Sequence, residues 1–219
     1  MLRRPLPLAL AIALAASPAF AFASAAASAS TTTPTSAAAT ADNAVAPSRA
    51  DAAADALFAE YWDASLKLSP LRATFVGDAR YNDQLPDFFS AESRAESKAF
   101  NEAWLARVNA VDLEALSPQQ RLGVEILKRD LELEIEGERF PGWQQPLNQF
   151  YNMASLFAQL GSGTNAQPFK TVQDYDNWLK RAARLPVLFT SMQANMRAGM
   201  ESGVVQPRVL MEKVLPQLD

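Results

Sequence analysis

Ser117-Pro118-Gln119-Gln120-Arg121-Leu122-Gly123-Val124-Glu125-Ile126-Leu127-Lys128-Arg129-Asp130-Leu131, continuing as Glu132-Leu133-Glu134-Ile135-Glu136, is the stretch on which the fold class turns. Its opening reads as a helix start. Ser117 is suited to cap, Pro118 occupies the first helical position, where its missing N–H is harmless, and Gln120 stands where a capping box places its second member. The apolar positions Leu122, Ile126, Leu127, Leu131 and Ile135 then recur at helical spacing and predict one buried face. The alternation from Leu131 to Glu136 is also compatible with a strand, but a capped run leading into it favours helix to about Glu136.

Working outward, the same pattern repeats. Ala54, Leu57, Phe58, Tyr61, Trp62 and Leu66 mark one face of a helix from Ala50 to Leu68, stopped at Ser69-Pro70 because proline disfavours helical geometry in its predecessor. Residues 70–90 carry turn signals (Gly77-Asp78, Tyr81-Asn82-Asp83, Leu85-Pro86-Asp87), with a short helical start at Leu71 to Phe75. Ser90 caps a helix to about Val111, with Phe100, Trp104, Leu105 and Val108 inward. Further helices are expected over Leu147 to Leu160, over Val172 to Arg184 behind a Thr171 cap with Tyr175, Trp178, Leu179 and Ala182 inward, over Pro186 to Met200 closed by Gly203, and after Pro207. Seven helical segments with short connections predict an all-α, irregular multi-helix bundle.

The amino terminus is different in kind. Arg3 and Arg4 precede an apolar run from Leu6 to Ala16, and Ala19-Phe20-Ala21 offers a small-x-small cleavage pattern. Residues 1–21 therefore read as a Sec-type signal peptide, cut after Ala21 or alternatively after Ala23, and the chain as periplasmic or secreted. The run is too short and too rich in proline for a membrane span. Residues 22–49 form an Ala/Ser/Thr-rich linker with too little apolar bulk to offset its ordering entropy, and the folded part is 50–219.

Composition excludes more than it assigns. The chain has 219 residues, 49% of them hydrophobic, with no cysteine and no histidine. It thus has no disulfide framework, no thiol nucleophile and no histidine base or ligand. Its net charge is −4, and loss of Arg3 and Arg4 leaves 18 basic against 24 acidic side chains, or −6, which argues against nucleic acid. No helix pairs a basic face with an apolar one, so membrane attachment is not expected after signal cleavage.

Few residues are placed to carry chemistry. Glu132, Glu134, Glu136 and Glu138 are the densest carboxylate cluster, but at two-residue spacing on a helix they fan apart and read as a solvated face. Ser162, between Gly161 and Gly163, lacks a histidine or neighbouring lysine to take its proton and reads as a turn. No catalytic, cofactor-binding or metal-ligating residue is assigned. Three residues stand as candidates for substrate-cleft or partner contact. Trp143 has Pro-Gly flanks that put it in a loop, and such rings can line a peptide or sugar groove; Asn195 and Arg208 are polar in otherwise apolar surroundings.

Three stretches carry a family resemblance. They are Gly77-Asp78-Ala79-Arg80-Tyr81-Asn82-Asp83, the run from Phe169 to Leu179, and Asn195-Met196-Arg197-Ala198-Gly199-Met200 continuing through Gly203-Val204-Val205-Gln206-Pro207-Arg208-Val209-Leu210-Met211. With Leu116 to Leu122 they resemble the amino-terminal part of the bacterial domain of unknown function (DUF) 885 family. That resemblance implies a larger helical, exported protein similar to zinc metallopeptidases, of which this chain is the amino-terminal portion. The family's His-Glu-x-x-Pro-Gly-His-His motif falls downstream of the matched region. Zinc is then expected in the missing carboxy-terminal part, which becomes this chain's partner, with a peptide as the implied substrate and no activity in the chain alone. The alternative is a self-contained exported helical scaffold or ligand-binding protein, with the loop around Trp143 holding its ligand.

Overall fold

The computed structural model describes residues 48–217. The signal-peptide reading, and the linker reading up to residue 47, lie outside the described residues. Eight helices follow in order: α1 (Arg49–Leu68), α2 (Pro70–Phe75), α3 (Ala91–Asn109), α4 (Pro118–Gly137), α5 (Met153–Gly161), α6 (Val172–Ala182), α7 (Leu185–Ser202) and α8 (Arg208–Val214). Single 3-10 turns link several of them, and no strand occurs among the described residues. The fold is all-α, with the short start after Pro70 as the eighth helix. None of these helices is long and apolar enough to cross a membrane.

Two apolar cores hold the helices. The first is closed by α1, α3 and α4 around Ala54, Leu57, Trp104, Val108, Val124, Leu127 and Leu131. Tyr61 meets Trp104 edge-on at 5.3 Å, and the Arg107 guanidinium lies 4.1 Å over the same indole while pairing with Glu60. The second core gathers Leu85, Met153, Phe157, Leu188 and Met192, with Trp178 stacked on Phe157 at 4.2 Å. Gly161 lets that indole approach, since a Cβ there would stand 2.6 Å from its ring.

The start of α4 is capped differently from the local motif. Ser117 Oγ accepts the Gln120 amide at 3.5 Å, but Gln120 does not reach back. Asp51 of α1 takes that place, its carboxylate accepting the Ser117 N–H at 2.9 Å, while Gln120 Nε2 donates to Asp55 at 2.6 Å. A capping box is thus completed between helices and pins α4 to α1. At α6 the local box does form: Thr171 Oγ1 accepts from Asp174 N, and the Asp174 carboxylate accepts from Thr171 N at 2.8 Å.

Several expected faces turn out otherwise. On α4 the buried positions are Val124, Leu127 and Leu131, whereas Leu122 and Ile126 lie on the opposite side, half-exposed, in line with Leu133. At about 100° per residue these are two apolar stripes on one helix, and α1 and α3 cover only one. Trp62 is likewise partly exposed, with Arg72 over its ring. The helix expected from Leu147 begins only at Met153, because the Asn148 side chain accepts the Phe150 and Tyr151 amides at 2.8 Å and holds a turn there. Asn152 then caps α5 through Ala154 N.

The largest departure is α6. Tyr175 and Leu179, expected inward, are 55% and 64% exposed, and Val172 is 79% exposed. The same helix buries Arg181 completely. Its guanidinium reaches Gln84 O at 3.1 Å, Gln167 Oε1 at 2.6 Å, Pro70 O at 3.2 Å, Thr74 Oγ1 at 2.7 Å and Tyr81 O at 2.9 Å. Pro70 and Thr74 belong to α2 and Tyr81 to the 3-10 turn Ala79–Tyr81, so one planar, five-donor side chain ties α2, the residues just after it and Gln167 to α6. Helix α6 is rotated to deliver it, so its apolar stripe faces outward.

Candidate functional site

Trp143 lies in the 3-10 turn Gly142–Gln144, which follows Phe140-Pro141 and forms a short strap packed against α7. Helix α7 packs on the strap at Gly199, where a Cβ would stand 2.5 Å from Val204 O and 3.0 Å from Gln144 O. Only glycine permits that approach of two backbones. On either side of the strap runs a groove.

The first groove lies between α3 and the end of α4, about 690 Å³ in volume, and Trp143 lines it. The Arg94 guanidinium sits 4.4 Å over the Trp143 ring and donates to Phe89 O at 2.8 Å. Asn195, buried on α7 beside Met192 and Gly199, donates through Nδ2 to the same carbonyl at 2.9 Å. Trp143 is thus linked to Asn195 only by way of Arg94, which shares the Phe89 carbonyl with the Asn195 amide. The Asn195 amide also fixes the Phe88-Phe89 turn against α7, a structural hydrogen bond within the second core's edge.

The second groove, about 240 Å³, is lined by Gln144, Gln145, Pro146, Leu147, Met196, Met200, Val205, Gln206 and Met211. Arg208 begins the helix that supplies Met211, but its side chain is fully exposed and paired with Glu212 at 2.8 Å. It is not brought to Trp143 or Asn195. The carboxylates of the Glu132–Glu138 run likewise diverge: Glu132 lies 4.0 Å from Lys128, Glu136 lies 3.7 Å from Arg139, and Glu138 lies 3.7 Å from Lys98. Ser162 Oγ donates to Gln159 O at 2.7 Å and lies 2.8 Å from Thr164 Oγ1, a helix-end turn.

The donor set does not fit zinc. The chain has no histidine or cysteine, and among the described residues no three carboxylates stand close enough to hold an ion. The electrostatics point to structural roles as well. The Ser117 amide holds the Asp51 carboxyl below the usual carboxylate range, and the Thr171 amide does the same for Asp174. Burial pushes the Arg181 guanidinium down to about 10, with Asp83 acting in the opposite sense.

Arg181 and its five acceptors escaped the sequence reading. A basic residue three positions beyond Trp178 was the only signal, and its acceptors are up to 111 residues away. The methionines of the second groove were legible only as apolar positions.

An all-α protein with two grooves astride a loop strap is the class these observations define. The chain belongs to the family described as bacterial protein of unknown function (DUF885), whose model matches residues 70–219. No curated protein and no solved structure matches it.

Proposed function

We propose that this chain is the amino-terminal portion of a larger exported protein resembling zinc metallopeptidases, in which it forms a helical wall of a cleft and the metal is held by downstream residues. One observation carries this reading. Helix α6 turns Val172, Tyr175 and Leu179 outward while burying a charged residue, which leaves an apolar stripe that a partner surface would cover. Leu122, Ile126 and Leu133 on α4, and Phe150 and Tyr151 in the turn before α5, add further uncovered apolar surface. Loops and helix faces of this kind are how a helical scaffold receives the rest of a larger fold.

Reading the coding frame past Asp219 tests the proposal. The expected result is a continuation containing His-Glu-x-x-Pro-Gly-His-His; a stop codon at that point overturns it and favours a self-contained scaffold. In the intact protein, peptide hydrolysis should require zinc and be lost on replacing the motif's glutamate. The isolated chain should show none of it.

A further inference from the structure

The groove between α3 and α4 has a chemistry that the metallopeptidase-like reading does not use. Along its α3 wall Ser93, Ser97 and Asn101 stand at every fourth position, half-buried. None of the three side chains is hydrogen-bonded to another described residue; the bond that joins Ser93 to Ser90 uses the Ser93 backbone amide. They form a rail of hydroxyl and amide groups aligned by the helix repeat.

The groove's charges cancel. Arg94 is held by Phe89 O and by the Trp143 ring, Lys98 stands 3.7 Å from Glu138, and Glu134 adds a second carboxylate to the opposite wall. Two cations and two anions leave no net field to draw in a charged ligand. An extended peptide is also poorly served. Both walls are helices whose backbone groups are bonded internally, so no free edge exists for strand-type pairing. Recognition must proceed through side chains. At the mouth, Trp143 is positioned by Arg94, and Phe88 and Phe140 are exposed. Rigid aromatic faces beside hydroxyl and amide groups suit a ligand that is apolar on its ring faces and polar around its rim. The volume of about 690 Å³ is of the size that small-molecule sites occupy.

We propose that this groove binds an uncharged polyhydroxylated ligand, a neutral oligosaccharide. It does so whether or not the chain is part of a metallopeptidase-like protein.

Isothermal titration calorimetry of the full chain with triacetylchitotriose, cellotriose and maltotriose tests it. Saturable binding of at least one trisaccharide is expected, with a Kd below ~1 mM, weakened at least about tenfold by Trp143→Ala and by Asn101→Leu. If Trp143→Ala loses its thermal transition, Asn101→Leu and Ser97→Val decide the matter. Absence of saturable binding for all three sugars, equal binding by the folded variants, or tighter binding of an end-capped tetra-alanine peptide would each overturn the proposal.

Discussion

Arg181 shows what a single residue can decide. Five acceptors from three separate segments converge on its guanidinium. Removing it leaves the buried Gln167 Oε1 and the Gln84 carbonyl without their protein donor and takes a shared donor from Pro70 O, Tyr81 O and Thr74 Oγ1. Arg181→Ala is therefore expected to lower stability by about 3–5 kcal/mol in urea unfolding, the range for breaking a buried charged network. Arg181→Lys should recover only part of this, because an ammonium cannot span acceptors set out for a planar fork. Asp51 makes a prediction in pH. Its pKa is lowered in the fold, chiefly by the Ser117 amide, so its contribution is present above the unfolded value of about 3.8 and fades as pH falls through the folded one. Asp51→Asn keeps an acceptor for Ser117 but removes the titration. Its stability should accordingly decline less steeply below about pH 4 than that of the parent in acid-unfolding curves.

At the scale of elements, the helices are set by local chemistry and their rotation by neighbours. Serine or threonine caps, proline at first positions and Gly203 at φ 82° delimit α1, α3, α4, α6 and α7 much as the residue types require. Which stripe faces inward is another matter on a helix that carries two. For α4 the outcome is checkable: Leu131→Ala should cost roughly 2–5 kcal/mol, whereas Leu122→Ser or Ile126→Ser should change stability by under about 0.5 kcal/mol in the isolated chain. The packing of α7 on the strap gives a further test. Gly199→Ala places a methyl against two backbone oxygens, neither of which can swing aside as a side chain would. A loss of about 1–3 kcal/mol is expected by thermal unfolding, while Gly137→Ala, which meets nothing within 4 Å, should be tolerated.

At the scale of the whole molecule, the described residues form two cores, with apolar stripes left facing outward on α4 and α6. Replacing Val172 and Leu179 together by serine should leave the urea midpoint nearly unchanged but reduce binding of a hydrophobic dye, since those two side chains are exposed and belong to neither core. The sequence by itself determined the all-α class, the order of helices and most of their ends, because caps, prolines and the 3.6-residue period act within a few positions of one another. It also singled out Trp143 and Asn195, through a loop flanked by Pro and Gly and a polar residue on an apolar face. Only the tertiary structure decided that Asn195 and the arginine stacked on Trp143 share the Phe89 carbonyl, that Asp51 completes the cap of α4, and that α6 turns its charge inward. Each of these depends on acceptors or surfaces tens of residues away. Burial is settled by which partner satisfies a group most completely, and no local period records where that partner lies.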